Sequence, residues 1–344
     1  MTQRQEKILG GLLGGAIGDS MGAVTEHTSR RILEKRYGFV TTILEPHDRL
    51  REHGHVRGLV TDDFSVAYYS ALPMLEKKQG ISSELAIEGL LRWNADERYS
   101  NCAGPTTIVA INRFKGIEPP PSSTDHVLCI NSRVTNGGGM KAGIVGLFNP
   151  SDLDKTIDDT ITLCGITHDN TLALSAACAI SAATSKAFDP GCSYMDLITA
   201  GLYGAEEGFK RSQPHVRPVA GCSIVKRIRP AVEIGLRHQD DPVAAMNEIA
   251  DIIGCGLFAY ESIPAAFGYI AATKGQVMDS IYLAVNAGDD TDTVACMVGF
   301  ITGAFCSSNA ISDSYLKLIN EVNRFDLKKT ALEIDSLVEG GTAV

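Results

Sequence analysis

Apolar positions recur at helical spacing along most of this chain, and strand-like alternation is scarce. The pattern predicts helices over residues 8–22, 64–78, 82–93, 153–164, 170–187, 194–211, 242–259, 263–273, 276–287, 293–306 and 312–323. Many of these segments are apolar on every side, as helices buried in a large all-α core are. The 8–22 segment, ILGGLLGGAIGDSMG, mixes leucines with glycines. Each glycine costs about 1 kcal/mol of helix propensity against alanine, so tertiary contacts must supply the order. The same small residues let a second helix pack very close. Residues 40–44 and 127–130 are the best strand candidates, and both are short. The Pro-Pro-Pro-Ser-Ser run at 119–123 reads as a loop or mobile insertion within one domain. The expectation is an all-α fold, a single compact multi-helix domain over residues 1–344.

Composition narrows the function classes. The chain has 344 residues, 44% hydrophobic and 21% charged, which is ordinary for a globular protein. A formal net charge of −10 argues against a nucleic-acid surface, which needs concentrated basic groups. The densest basic run, Lys226-Arg227-Ile228-Arg229, is short, meets Pro230 and reads as a solvated helix edge. Residues 1–7 are polar, and no apolar run is long enough to span a bilayer. Nine cysteines include no C-x-x-C pair, and Cys164, Cys178, Cys255 and Cys296 sit inside apolar stretches as small core residues. The expectation is a cytoplasmic protein with no nucleic-acid or membrane partner.

Chemistry concentrates in two acidic clusters. Asp289-Asp290-Thr291-Asp292-Thr293 puts three carboxylates and two hydroxyls into five residues between apolar segments. Thr61-Asp62-Asp63, far upstream, also runs straight into an apolar segment. One such residue can cap a helix, but capping leaves the other carboxylates repelling each other. Oxygen ligands of this kind suit Mg²⁺, Mn²⁺ or Ca²⁺. If the clusters meet, they hold enough oxygens for two octahedral cations about 3.5–4 Å apart. The Gly-rich stretch 136–140 lacks the ending of a P-loop and reads as a tight turn or as a close backbone approach to a ligand. His53 and His55 read as loop residues.

Together these blocks resemble the ADP-ribosylglycohydrolase superfamily. The likeness runs in order through Gly14-Gly15-Ala16-Ile17-Gly18-Asp19-Ser20-Met21-Gly22 with Glu26, then Thr61-Asp62-Asp63, then Asn136-Gly137-Gly138-Gly139-Met140-Lys141-Ala142, then Thr167-His168, and finally Gly288 and the last acidic cluster. The resemblance implies an all-α fold with a central cleft for two Mg²⁺ ions, or Mn²⁺ in their place. It implies that Thr61, Asp62, Asp63, Asp290, Asp292 and Thr293 are metal ligands, with Asp292 bridging. Glu26, Asp63 and Asp292 would be catalytic, Glu26 as ligand or general acid–base. Gly138, Gly139, Met140 and His168 would hold the ADP-ribose moiety. The implied activity is hydrolysis of a C1″ glycosidic bond in an ADP-ribosyl or related ribosyl substrate, free or protein-linked.

This chain departs from the family pattern at several points. Phe64 stands where a threonine is usual, Asp289 where a glycine is usual, and Lys141 where relatives often carry arginine. Asn101, Cys102 and Ala103 stand where arginine-specific relatives carry an acid, with Asp96, Glu97 and Arg98 out of register. The ligands are kept while their surroundings change. A small nucleoside-like riboside is therefore the alternative substrate, and a non-catalytic ADP-ribose-binding or crystallin-like structural protein the alternative class.

Overall fold

The structure, a computed structural model, describes residues 1–117 and 134–341. The loop expected at 119–123 and the strand expected at 127–130 lie outside the described residues. The first half of the chain forms α1 (Gln3–Gly22), α2 (Arg30–Tyr37), α3 (Asp48–Glu52), α4 (Asp62–Lys77), α5 (Ser83–Asn94), α6 (Glu97–Ser100), α7 (Pro105–Phe114), α8 (Gly139–Phe148) and α9 (Leu153–Gly165). The second half forms α10 (Thr171–Lys186), α11 (Tyr194–Ser212), α12 (Ile224–Arg237), α13 (Pro242–Ile252), α14 (Ala259–Ala272), α15 (Val277–Asn286), α16 (Thr291–Cys306), α17 (Asp313–Asn323) and α18 (Leu327–Gly341). The fold is all-α, and no sheet forms among the described residues. No helix among them is long and apolar enough to cross a membrane.

The centre is an antiparallel pair, α1 on α16, wrapped by α8, α10, α14, α15 and α18. Glycines four apart on α1 make one bare stripe along the helix. A Cβ on Gly10 would lie 2.2 Å from the Gly303 carbonyl oxygen, one on Gly14 2.2 Å from that of Gly299, and one on Gly18 2.1 Å from that of Ala295. At the end of the stripe, a Cβ on Gly22 would lie 2.4 Å from the Asp292 Cα. Backbone therefore rests on backbone. This is the tertiary order that the glycine-rich segment required. The N-terminus of α1 is secured by a capping box, in which the Gln5 amide N–H donates to Thr2 Oγ1 at 3.2 Å and the Thr2 N–H donates to Gln5 Oε1 at 2.8 Å.

The helix expected over 242–259 is broken. The chain leaves α13 at Ile252, passes Gly254 at φ +84° and restarts as α14 at Ala259. An apolar run hides this break, but Gly254 adopts the left-handed turn at little cost. The strand expected over 40–44 does not form either. The Val40 N–H donates to Asn286 Oδ1 and the Asn286 side-chain N–H donates to the Val40 carbonyl, each at 2.8 Å, so one amide side chain does the work of a neighbouring strand. The Gly-rich stretch read as a turn is only partly one. A 3₁₀ turn over Asn136–Gly138 leads directly into α8, all of whose residues are buried. The Lys226–Arg229 run opens α12, with Lys226 and Arg229 exposed and Pro230 carried inside the helix.

Gly14→Ala is expected to destabilise the protein by about 1–3 kcal/mol or more, because its methyl meets backbone that cannot rotate away. Gly165→Ala, where nothing lies within 4 Å, serves as the control and should be neutral or mildly stabilising. Urea-denaturation midpoints of the two variants check this.

Candidate metal centre

The N-termini of α4 and α16 open onto one cleft of about 540 Å³, which Ala23 and Glu26, just past the end of α1, also line. Thr61 is the N-cap of α4, accepting the Asp63 N–H at 3.3 Å and donating its hydroxyl to Asp63 Oδ2 at 3.2 Å. Asp290 holds the N-cap position of α16 but does not cap it; its Oδ2 accepts the Asn136 side-chain N–H at 2.5 Å. Asp292 Oδ1 accepts the Thr293 N–H at 2.9 Å. The Thr293 hydroxyl donates to Asp63 Oδ1 at 2.8 Å, joining the two acidic clusters across 230 positions of sequence. The clusters do meet.

Two sets of carboxylate oxygens lie close enough to share a cation. One set is Asp19, Asp63 and Asp292, and the other is Glu26, Asp290 and Asp292, with all oxygens in a set within 4.8 Å of one another. Asp292 belongs to both. Asp62, Thr61 and Thr293 line the same cleft outside these sets, Asp62 half-exposed and the two threonines buried. Met140 and His168 also line it, whereas Gly138 and Gly139 stand one layer behind the wall. An added methyl on Gly138 would lie 3.6 Å from the His168 Cβ and one on Gly139 2.9 Å from the Met297 Sδ, and Gly137 takes the lining position.

The electrostatics of the cluster are severe. Burial pushes Asp19 and Glu26 up to about 7, and it holds Asp62, Asp63 and Asp292 well above the ordinary carboxylate range. Repulsion adds to burial, from Asp290 onto Glu26 and from Asp62 onto Asp63. Among the described residues the only ion-pair partner of these groups is His27, whose Nε2 lies 3.0 Å from Glu26 Oε1. Every candidate donor is a hard oxygen, which fits Mg²⁺ or Mn²⁺.

The structure adds residues whose roles sequence reasoning missed. Asp19 faces the N-terminus of α4 from another helix, its Oδ1 accepting the Thr61 N–H and its Oδ2 the Phe64 N–H, each at 2.8 Å. Its position inside the Gly-rich block was the only signal. Asn136, at the head of the second Gly-rich block, steadies Asp290. Asp289 adopts φ +65°, a left-handed backbone that explains why glycine suits the position. Its peptide ties the Glu26 turn to α16: the His27 N–H donates to the Asp289 carbonyl at 2.7 Å and the Asp289 N–H to the Thr28 carbonyl at 3.2 Å. His168 is buried and held neutral, its pKa lowered to about 3 by burial and then by the Lys141 charge.

Comparison with known proteins identifies the family of the chain. A family model described as ADP-ribosylglycohydrolase matches residues 1–342. The uncharacterised protein YegU of Escherichia coli strain K12 is 28% identical over 332 residues, covering 95% of this chain and 96% of that protein. The mouse ADP-ribosylhydrolase ARH3 is 22% identical over 335 residues, covering 89% of this chain and 85% of that protein. A solved ADP-ribosylglycohydrolase-related protein complex superimposes with a TM-score of 0.69 at 20% identity, over 98% of this chain and 100% of that one, and so shares the fold.

The raised carboxyls give a signed pH dependence. In the unfolded chain such groups titrate near 4, and in the folded metal-free protein Asp19 and Glu26 titrate near 7. The folded state therefore binds more protons in this window, and its stability is fully present below about 4 and falls as pH rises through about 7. EDTA-treated protein should melt at a lower temperature at pH 8 than at pH 6. Mg²⁺ at about a hundred times its dissociation constant should restore about 2.7 kcal/mol at pH 8. Asp292→Asn should melt higher than wild type without metal and respond weakly to Mg²⁺. Thermal melts at the two pH values check all three outcomes.

Proposed function

Because the chain belongs to the ADP-ribosylglycohydrolase family, we propose that it is a divalent-metal-dependent hydrolase that cleaves the C1″ glycosidic bond of an ADP-ribosyl or related ribosyl substrate. The observation that carries this reading is the membership of Asp292 in two oxygen sets at once, the arrangement expected of a ligand shared by two ions. In this reading Asp63, Asp290 and Asp292 would hold the cations together with oxygens of Thr61, Asp62 and Thr293, and Asp19 and Glu26 stand within the same oxygen sets. Cations held there would supply positive charge to bind vicinal ribose hydroxyls and to make water a better nucleophile.

The chain's own side chains do the rest. Thr293 and Thr61 each donate to Asp63, which leaves its carboxylate little freedom to rotate. Asn136 restrains Asp290 in the same way. Glu26, half-buried at the cleft edge with a carboxyl that titrates near 7, is suited to give or take a proton at neutral pH. Breaking a ribosyl bond passes through an oxocarbenium-like state, and the anionic floor of the cleft favours that developing positive charge.

The cleft wall favours one aglycone class over another. Asn101, Cys102, Gly104 and Thr106 line it without a carboxylate to meet a guanidinium. This supports an uncharged or anionic leaving group, as in serine-linked ADP-ribose, an O-acyl ADP-ribose or a simple riboside, ahead of ADP-ribosyl-arginine.

The test is product release from ADP-ribosyl-arginine, ADP-ribosyl-serine, O-acetyl-ADP-ribose and simple nucleosides, in Mg²⁺ and in EDTA. One class should be cleaved, and EDTA or Asp292→Asn should cut turnover at least about 100-fold. Glu26→Gln should lower kcat by about 100-fold or more with a smaller change in KM. Turnover that survives both EDTA and Asp292→Asn would defeat the metal-centred reading.

A further inference from the structure

Behind the cleft wall lies a lysine that the catalytic reading leaves unused. Lys141, on the first turn of α8, is 2% exposed and has no ion-pair partner among the described residues. Its one hydrogen bond among them runs from Nζ to Thr167 Oγ1 at 2.9 Å. A chain of contacts then leads outward. Thr167 Oγ1 lies 2.8 Å from His168 Nδ1, and His168 Nε2 lies 3.0 Å from Thr135 Oγ1. Thr135 and His168 line the cleft, and Thr135 directly precedes the Asn136 that restrains Asp290. Thr167 and His168 are 5% and 1% exposed, so no bulk water interrupts the chain at its centre.

Proton direction along such a chain follows from who can accept. Burial lowers the Lys141 pKa, but as an ammonium it only donates, and so it makes Thr167 Oγ1 an acceptor on that side. The Thr167 hydroxyl must then spend its own proton elsewhere. The Cys164 carbonyl, 3.3 Å away, already accepts the Thr167 and His168 backbone N–H groups at 3.2 and 3.0 Å. His168 Nδ1, closer at 2.8 Å, is the better acceptor. With Nδ1 accepting, the neutral ring carries its hydrogen on Nε2 and donates to Thr135 Oγ1. The Thr135 hydroxyl, whose proton has no acceptor among the described residues, is left to donate into the cleft.

We propose that Lys141 is a positioning residue that sets the proton direction through Thr167 and His168, so that Thr135 presents a fixed hydroxyl donor for a phosphate-type oxyanion of the substrate. This rests on the ribosyl-substrate reading above for its ligand, ADP-ribose, and on the hydrogen-bond chain alone for its mechanism. It also gives a reason for a long cation at this position. A neutral side chain of similar size would fill the space but would not orient Thr167.

The relay is tested first without ligand. Imidazole nitrogen shifts of His168 in protein labelled with ¹⁵N-histidine, assigned by their loss in His168→Gln, should show the Nε2–H tautomer, and Lys141→Met should shift it towards a mixture. ADP-ribose binding in Mg²⁺, measured by calorimetry, is the second readout. Lys141→Met should weaken it about 10-fold, near the lower end for a hydrogen bond to a charged group, and Lys141→Arg should retain it. Thr135→Val should lose the same factor, and adding Lys141→Met to it should cost nothing further. Mg²⁺-induced stabilisation should persist in all variants, as a merely structural role would not ensure. An Nδ1–H ring in the wild type, or additive losses in the double variant, would overturn the relay and leave the proposed hydrolase standing. Failure of the wild type to bind ADP-ribose would overturn that ligand and the family-based substrate together, with the tautomer still deciding the relay.

Discussion

Where α1 crosses α16 the two backbones touch, and Asp19 and Asp292 ride in on the two helices. Gly18 rests on the Ala295 carbonyl and Gly22 on the Asp292 backbone, and Asp19 lies between those two glycines on the same helix. A side chain larger than hydrogen at these positions would push the axes apart. Asp19 would then lose its place beside Asp63 and Asp292, and with it the two amide groups of α4 that it holds. Packing density at one crossing thus sets the charge density of the cleft. The surrounding helices bury the pair, but they do not define the distance.

That charge density is only partly compensated by the protein. The N-termini of α4 and α16 both face the cluster, and helix N-termini favour negative charge. Asp19 accepts two backbone N–H groups and still ends near 7, because complete burial outweighs them. The balance is weighted towards assembly of the site with cations in it, and against a role in which the same carboxylates serve only as caps. A cap uses one oxygen; here Thr61 does the capping of α4, and Asp290 leaves α16 uncapped.

The legible parts of the sequence were those whose chemistry is local. Asp62-Asp63 and Asp290-x-Asp292 announce themselves by density, and long apolar runs such as the one in α16 announce a buried helix. The eleven-residue α13 was also visible, but its end was not, since the Gly254 turn lies within an unbroken apolar run. Partnerships across the fold leave no such trace. Nothing near Val40 shows that the side chain of Asn286 will satisfy its peptide, and nothing near Asp19 shows which amides it will accept. In α8, Gly143 and Gly146 are places where the Phe300 side chain and the Ser181 carbonyl come close to the backbone, contacts that nothing local announces. In the neighbouring 3₁₀ turn it is Gly137, ahead of Gly138 and Gly139, that lines the cleft. Motif position places a loop at a ligand, but the twist of the 3₁₀ turn decides which residue faces it.

The pairing of α1 with α16 also carries a message about time. Its two partners are separated by more than 260 positions, and α1 is too rich in glycine to hold a helix by itself. The surface that shapes this helix belongs to a segment made late in synthesis, after α2 to α15. Asp290 and Asp292 come with that late segment, so any chain that ends before α16 has only part of the carboxylate cluster.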